Sequence, residues 1–254
     1  MGFIEKFMLT GKKAVVTGGA RGIGFEVAKG FAEVGADIAI IDIIDAGEAV
    51  ADLRKIGVKA MSIKADVTSE TEVNAAFDAI IKEFGAVDVL FNNAGICINE
   101  DADKMSYVEQ WRKVVRIDLD AVFLVASTAA CHMLKQGKGS IINTASMSGH
   151  IVNYPQPQCG YNAAKAGVIH LTKSMGVEWA KKGVRVNSIS PGYINTPMTV
   201  GAPREWQDFW WTITPMGRIG EPEELVGAVI YLASDASTYT TGCDIIVDGG
   251  FVCV

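Results

Sequence analysis

The 254-residue chain has no apolar run long enough to span a bilayer, no Lys/Arg cluster, no C-x-x-C pair and no G-x-S-x-G elbow. Each absence removes a class of function. A membrane span needs about 18 or more nearly unbroken apolar residues, so a membrane protein is not expected. With 23 Lys+Arg against 29 Asp+Glu the formal charge is −6, and a phosphate-tracking nucleic-acid surface is excluded on the same ground. The missing elbow argues against an α/β-hydrolase. Five cysteines (Cys97, Cys131, Cys159, Cys243 and Cys253) are odd in number and scattered, which predicts reduced, mostly buried thiols and no disulfide framework. The three histidines, His132, His150 and His170, are too dispersed to predict a metal site. Met1 to Leu9 lacks a secretory pattern, and Lys6 stands where a myristoylation signal needs Ser or Thr, so a cytoplasmic location is expected.

What remains is an ordinary globular composition, 49% hydrophobic and 20% charged, in a regular alternation of short apolar runs and helical patterns. Strands are predicted at Lys13 to Thr17, Asp37 to Ile41, Lys59 to Lys64, Val87 to Phe91, Ser140 to Thr144, Val184 to Ile189 and Cys243 to Val247. Helices are predicted at Gly24 to Val34, Ala46 to Ile56, Val73 to Phe84 behind a Thr68 or Ser69 cap, and Lys104 to Leu134 with a break near Ser106. Two more follow, one carrying Tyr161 as far as Lys182 and one at Glu223 to Ala233. The strands show no polar alternation, as expected when helices cover both faces. The fold class is therefore α/β, a single-domain, doubly wound parallel sheet of about seven strands spanning residues 1–254, with an irregular excursion at about 195–220.

Between the first strand and first helix lies Thr17-Gly18-Gly19-Ala20-Arg21-Gly22-Ile23-Gly24. Glycines there let the backbone approach a diphosphate, and the helix N-terminal N–H groups meet its charge. Asp42, eighteen residues after Gly24, can accept hydrogen bonds from both ribose hydroxyls of an adenosine and would repel a 2′-phosphate, which favours NAD over NADP. Asp42 can instead cap the next helix, and Arg21 can pair with a 2′-phosphate, so NADP stays open.

Tyr161 and Lys165 stand four apart on a predicted helix, one turn apart on one face, with Ser146 fifteen residues before the tyrosine. An ammonium beside the phenol favours the phenolate and makes Tyr161 a general acid/base.

With these residues, Asp66-Val67, Asn92-Asn93-Ala94-Gly95, Ser190-Pro191-Gly192, Thr196 and Val247-Asp248-Gly249-Gly250, the chain resembles the short-chain dehydrogenase/reductase family over nearly its whole length. The resemblance implies NAD(P)-dependent hydride transfer between a secondary alcohol and a ketone. It implies that Gly18, Arg21, Ile23 and Gly24 hold the diphosphate side, Asp42 the adenosine ribose, Asp66 and Val67 the adenine, and Asn92, Ala94 and Gly95 the neighbouring ribose. Tyr161 and Lys165 would contact the nicotinamide ribose, with Pro191, Gly192, Ile194 and Thr196 around the carboxamide. Ser146 would hold the reacting oxygen, with Ser148 its rival. Asp118 stands where the family usually has an asparagine, and its carboxylate is expected to support the proton relay and shift the pH optimum. A homotetramer is implied as well, to which the apolar end Phe251 to Val254 adds surface.

Two segments are expected to shape the substrate pocket: Met147 to Gln158, with polar His150, Asn153, Gln156 and Gln158, and a lid at Met198 to Ile219 with Trp206, Trp210 and Trp211. Both resemble the branch of mannitol, galactitol and sorbose-type dehydrogenases. His150, Gln156, Trp210 and Trp211 are the expected substrate contacts with Ser148, and a polyol/ketose pair is the expected substrate. A hydroxysteroid suits the aromatic lid equally, and the lid can instead pack on its own core or on a partner subunit. A catalytically silent dinucleotide-binding sensor or scaffold is the reading from another functional class.

Overall fold

In the computed structural model, which describes residues 2–254, seven parallel strands form one sheet in the order β3-β2-β1-β4-β5-β6-β7. They are β1 Lys13–Thr17, β2 Asp37–Asp42, β3 Ala60–Lys64, β4 Val89–Asn92, β5 Gly139–Thr144, β6 Val184–Pro191 and β7 Asp244–Val247. Helices α1 (Gly22–Glu33), α2 (Gly47–Ile56) and α9 (Val226–Ala233) belong to the apolar layer on one face. On the other face lie α3 (Glu70–Phe84), α5 (Ala121–Gln136) and α6 (Cys159–Trp179). Two short helices, α7 (Pro197–Val200) and α8 (Arg204–Ile213), occupy the 195–220 excursion. The order reverses between β1 and β4, so the loops that leave their C-terminal ends diverge and open a crevice.

The elements form where local chemistry and burial agree. At α3, Ser69 Oγ accepts the Glu72 N–H, Val73, Ala76, Phe77 and Ile80 bury at three- and four-residue spacing, and Gly85 at φ 79° ends the helix in the left-handed region. Burying Phe77 and Ile80 contributes roughly 1.5–3 kcal/mol each. The last helix starts on a capping box between Glu221 and Glu224, which relieves two otherwise unpaired N–H groups.

Three expectations need correction. The thiols are mostly outside: Cys131, Cys159, Cys243 and Cys253 are exposed, and only Cys97 is partly covered. The strand expected from Val87 begins at Val89, because the Lys13 N–H takes the Asp88 carboxylate and Val87 bonds the Gln136 side chain, outside the ladder. The long helix after Ser106 is not regular. Ser106 caps it, but Tyr107–Trp111 and Arg116–Asp120 are wide π-helical turns around the short α4 (Arg112–Val115). Among the described residues no helix is long and apolar enough to cross a membrane.

Candidate active site

The ends of β5 and β6, the start of α6 and the second wide turn meet at the crevice. Lys165 is buried on α6; its Nζ donates to the Thr144 carbonyl at 2.9 Å and lies 3.3 Å from Asp118 Oδ1. Asp118 is 0% exposed, and both its oxygens take the Ile96 N–H at 3.2 Å. Gly95 permits this approach, since a Cβ there would fall 2.5 Å from Asp118 Oδ1. Ser146 caps the turn Met147–Gly149: its Oγ accepts the Ser148 N–H at 3.1 Å and donates to Ser148 Oγ at 3.0 Å.

The electrostatics depart from the simple tyrosine–lysine pairing. Burial pushes the Tyr161 hydroxyl above its ordinary value, the Asp118 charge adds to that, and the Ser146 hydrogen bond works the other way. Lys165 Nζ stands 5.4 Å from the Tyr161 ring centroid, with Asp118 and the Thr144 carbonyl engaging its charge. Burial likewise holds the Asp118 carboxyl above the usual carboxylate range, opposed by Lys165 and the Ile96 N–H.

These directions fix the sign of a pH experiment. Asp118→Asn removes the anion that raises Tyr161 and frees the Lys165 charge, and both changes ease ionisation of the phenol. The rising limb of alcohol oxidation against pH should therefore move to lower pH; profiles that superimpose on wild type would sink the assignment.

A cleft of about 530 Å³ runs from this cluster along the sheet edge. Gly18, Arg21 and Ile23 line one stretch, Asp42, Asp66 and Val67 the far end, and Ala94 and Gly95 the middle. Ser146, Tyr161, Lys165, Asp118, Pro191, Gly192, Ile194 and Thr196 line the near end. The residues suit a dinucleotide. The first turn of α1 opens into the cleft without a side-chain cap, leaving N–H groups and a positive dipole end for a diphosphate. Asp42 is not a helix cap: its oxygens accept the Ala20 N–H at 3.0 Å and the Ile44 N–H at 3.1 Å, tying the glycine loop to β2. A carboxylate has about four acceptor positions, so two remain for ribose hydroxyls.

Several expected site residues lie outside this lining. Gly24 sits beneath the loop, where a Cβ would overlap the Gly18 carbonyl oxygen. Asn92 is buried, its amide donating to the Val122 carbonyl and Asn143, while its neighbour Asn93 lines the cleft and ties the glycine loop. His150 is drawn away to Asp244 on β7, 2.7 Å from its Nε2. Ser148 accepts from Ser146 and from Gln158. Gln156 is held between the Tyr193 hydroxyl and the Trp210 indole, and Trp210 is buried and stacked on Tyr193 with centroids 4.2 Å apart. Trp211 packs under Arg204, and its indole N–H is buried without an acceptor. The loop's polar groups are thus taken up by other side chains of the protein.

Not singled out in the sequence were Lys113 and Ile117, which line the cleft, Tyr193, which follows the lining residues Pro191 and Gly192, and Cys97, which follows Ile96 beside Asp118. Cys97 is no reactive thiol, because burial and then Asp118 push it up to about 12. Tyr193 carried one usable signal, its place directly after Pro191-Gly192.

A parallel sheet with a glycine loop at its switch point, and Ser146, Tyr161 and Lys165 gathered beside it, defines an oxidoreductase of the nicotinamide-dinucleotide class. The family model described as enoyl-(acyl carrier protein) reductase matches residues 18–252, and the chain belongs to the short-chain dehydrogenase/reductase family. It is 48% identical over 254 residues to a sorbose reductase of Candida albicans, covering 98% of this chain and 90% of that protein. It is 48% identical over 255 residues to a probable NADP-dependent mannitol dehydrogenase of Yarrowia lipolytica, covering 98% and 91%. Among solved structures, a short-chain type dehydrogenase/reductase from Mycobacterium marinum superimposes with a TM-score of 0.97 at 42% identity, covering all of both chains.

Proposed function

We propose that this protein interconverts a polyol and its ketose, with Tyr161 as the proton-transferring group and NAD as the preferred cofactor. The observation that carries the reading is one cleft with Ser146, Tyr161 and Lys165 at one end and Asp42 at the other. When bound, the oxidised nicotinamide supplies a hydride acceptor and a positive charge. Ser146 orients the reacting oxygen, Tyr161 takes its proton as the alcohol is oxidised and returns it in reduction, and Lys165, braced by Asp118, holds the ribose side. Gly18, Arg21 and the first turn of α1 would hold the diphosphate, and Asp66 and Val67 the adenine.

Two kinds of support favour the polyol over the hydroxysteroid. The named relatives act on sorbose and mannitol, and the lid offers little free aromatic face, since Trp210 is spent on Tyr193 and Gln156. The intact Ser146, Tyr161 and Lys165 weigh against a silent sensor or scaffold. The assembly we infer is a homotetramer, for which the exposed Tyr107, Val108 and Phe123 supply apolar area.

The test follows reduced-nicotinamide absorbance with NAD and NADP, each offered with sugar alcohols and with hydroxysteroids. Turnover of polyols supports the reading, and turnover confined to steroids replaces it. For the cofactor, Asp42 sets an expectation against the NADP named for the mannitol relative. Wild type should prefer NAD, and Asp42→Asn, which removes the charge facing a 2′-phosphate, should move the ratio of kcat/KM values about tenfold or more toward NADP. A wild type that prefers NADP would overturn the assignment.

A further inference from the structure

A hydrogen-bond network runs from the loop after Ser146 to the lid. Ser146 Oγ meets Ser148 Oγ, and the two hydrogens of Gln158 Nε2 are shared among three acceptors, Asn162 Oδ1 at 2.9 Å, Asn153 Oδ1 at 3.1 Å and Ser148 Oγ at 3.2 Å. Asn153 Nδ2 donates to the Tyr193 hydroxyl at 3.2 Å, Gln156 Nε2 donates to the same oxygen at 2.7 Å, and the Trp210 indole N–H donates to Gln156 Oε1 at 3.0 Å.

The direction of these bonds matters more than their number. Indole nitrogen can only donate, so Trp210 fixes which end of the Gln156 amide faces Tyr193. Asn153, whose Oδ1 takes the Gln158 amide, turns its Nδ2 to the same oxygen, so the phenolic oxygen receives an N–H from each side and its two lone pairs are filled. Its own hydrogen is left over, and none of the described residues accepts it. The ring cannot swing away to find an acceptor, because it is stacked on Trp210 and held edge-on by Phe251 at 5.4 Å. A hydroxyl so placed is an oriented donor.

We propose that Tyr193 is a specificity-determining residue that donates a hydrogen bond to a substrate oxygen beyond the reacting carbon. This rests on the polyol reading and sharpens it. Tyr193 follows Pro191 and Gly192, which line the cleft beside Ser146 and Tyr161. The site then demands an acceptor within hydrogen-bond reach of that hydroxyl: a hydroxyl or carbonyl oxygen of a hydroxylated chain satisfies it, and a plain hydrocarbon chain leaves the donor unpaired.

Sorbose and 2-hexanone present the same C2 ketone on six carbons, with and without the other oxygens, and are compared as substrates of reduction at pH 8. Tyr193→Phe keeps the stack on Trp210 and removes the hydroxyl. It should lower kcat/KM for sorbose by about 10- to 100-fold and that for 2-hexanone by less than about threefold. Gln156→Glu keeps the hydroxyl but reverses its direction, since a carboxylate accepts from both Trp210 and Tyr193; the same selective loss is expected. Thermal melting is followed for each variant, so that a loss on both substrates with a lowered Tm identifies a structural role and overturns the proposal. A wild type that prefers sorbose together with a Tyr193→Phe variant that prefers it equally overturns the Tyr193 assignment alone. A wild type that reduces 2-hexanone but not sorbose overturns the polyol reading along with it.

Discussion

Tyr161→Phe is expected to lower turnover by about 10²–10⁴-fold while leaving dinucleotide affinity nearly unchanged. The phenol is half-buried and lines the cleft, and no other described side chain stands ready to exchange a proton with an oxygen held by Ser146. Lys165 is paired, Asp118 faces Lys165 and Ile96, and Cys97 is pushed up to about 12. Removing the hydroxyl therefore removes the acid/base, while the ring keeps its packing. Steady-state rates with a binding measurement by nicotinamide fluorescence separate the two effects. A variant within about threefold of wild type would assign the proton to another group.

Lys165→Met should cost both stability and activity, and the stability effect should depend on pH. The ammonium and the Asp118 carboxylate are almost wholly buried against each other, and removing one partner of such a pair costs about 3–5 kcal/mol. Burial already raises the Asp118 carboxyl in the wild type, and loss of Lys165 raises it further. A carboxyl raised above its unfolded value makes the folded state bind more protons, so stability falls as pH climbs from the unfolded value toward the folded one. Denaturant unfolding should thus show a small loss at acid pH and the full loss at pH 8. Adding Asp118→Asn should recover most of the stability and none of the turnover, because the asparagine oxygen still accepts the Ile96 N–H. Equal destabilisation at both pH values would contradict the buried pair.

The sheet was legible because its strands are covered on both faces. Continuous runs such as Ala14-Val15-Val16 and Ile38-Ala39-Ile40-Ile41 have no polar side to hide, and glycines or Asp42 close them where the chain must turn. The cofactor loop was legible for a related reason, since backbone contact with a diphosphate needs glycine and little else. The polar loop after Ser146 was not. Its side chains find partners 54 and 94 residues away, Gln156 on Trp210 and His150 on Asp244, and no local spacing announces which polar group faces a ligand and which faces another side chain. The pairing of Lys165 with Asp118 was half legible: the family resemblance singled out the carboxylate, but the 3.3 Å that makes it compete with the phenol for the ammonium came only with the fold.

The wide turn Arg116–Asp120 has a consequence for how this enzyme can be altered. A π-helical turn holds one residue more than an α-helical turn, and one residue on an α-helix is about 100° of rotation. Deleting a single residue from this segment would let the helix close into ordinary α geometry with better hydrogen bonds, yet it would turn the surviving carboxylate away from Lys165. The buried charge is thus maintained by a surplus residue, and a shorter, more regular chain would be the inactive one.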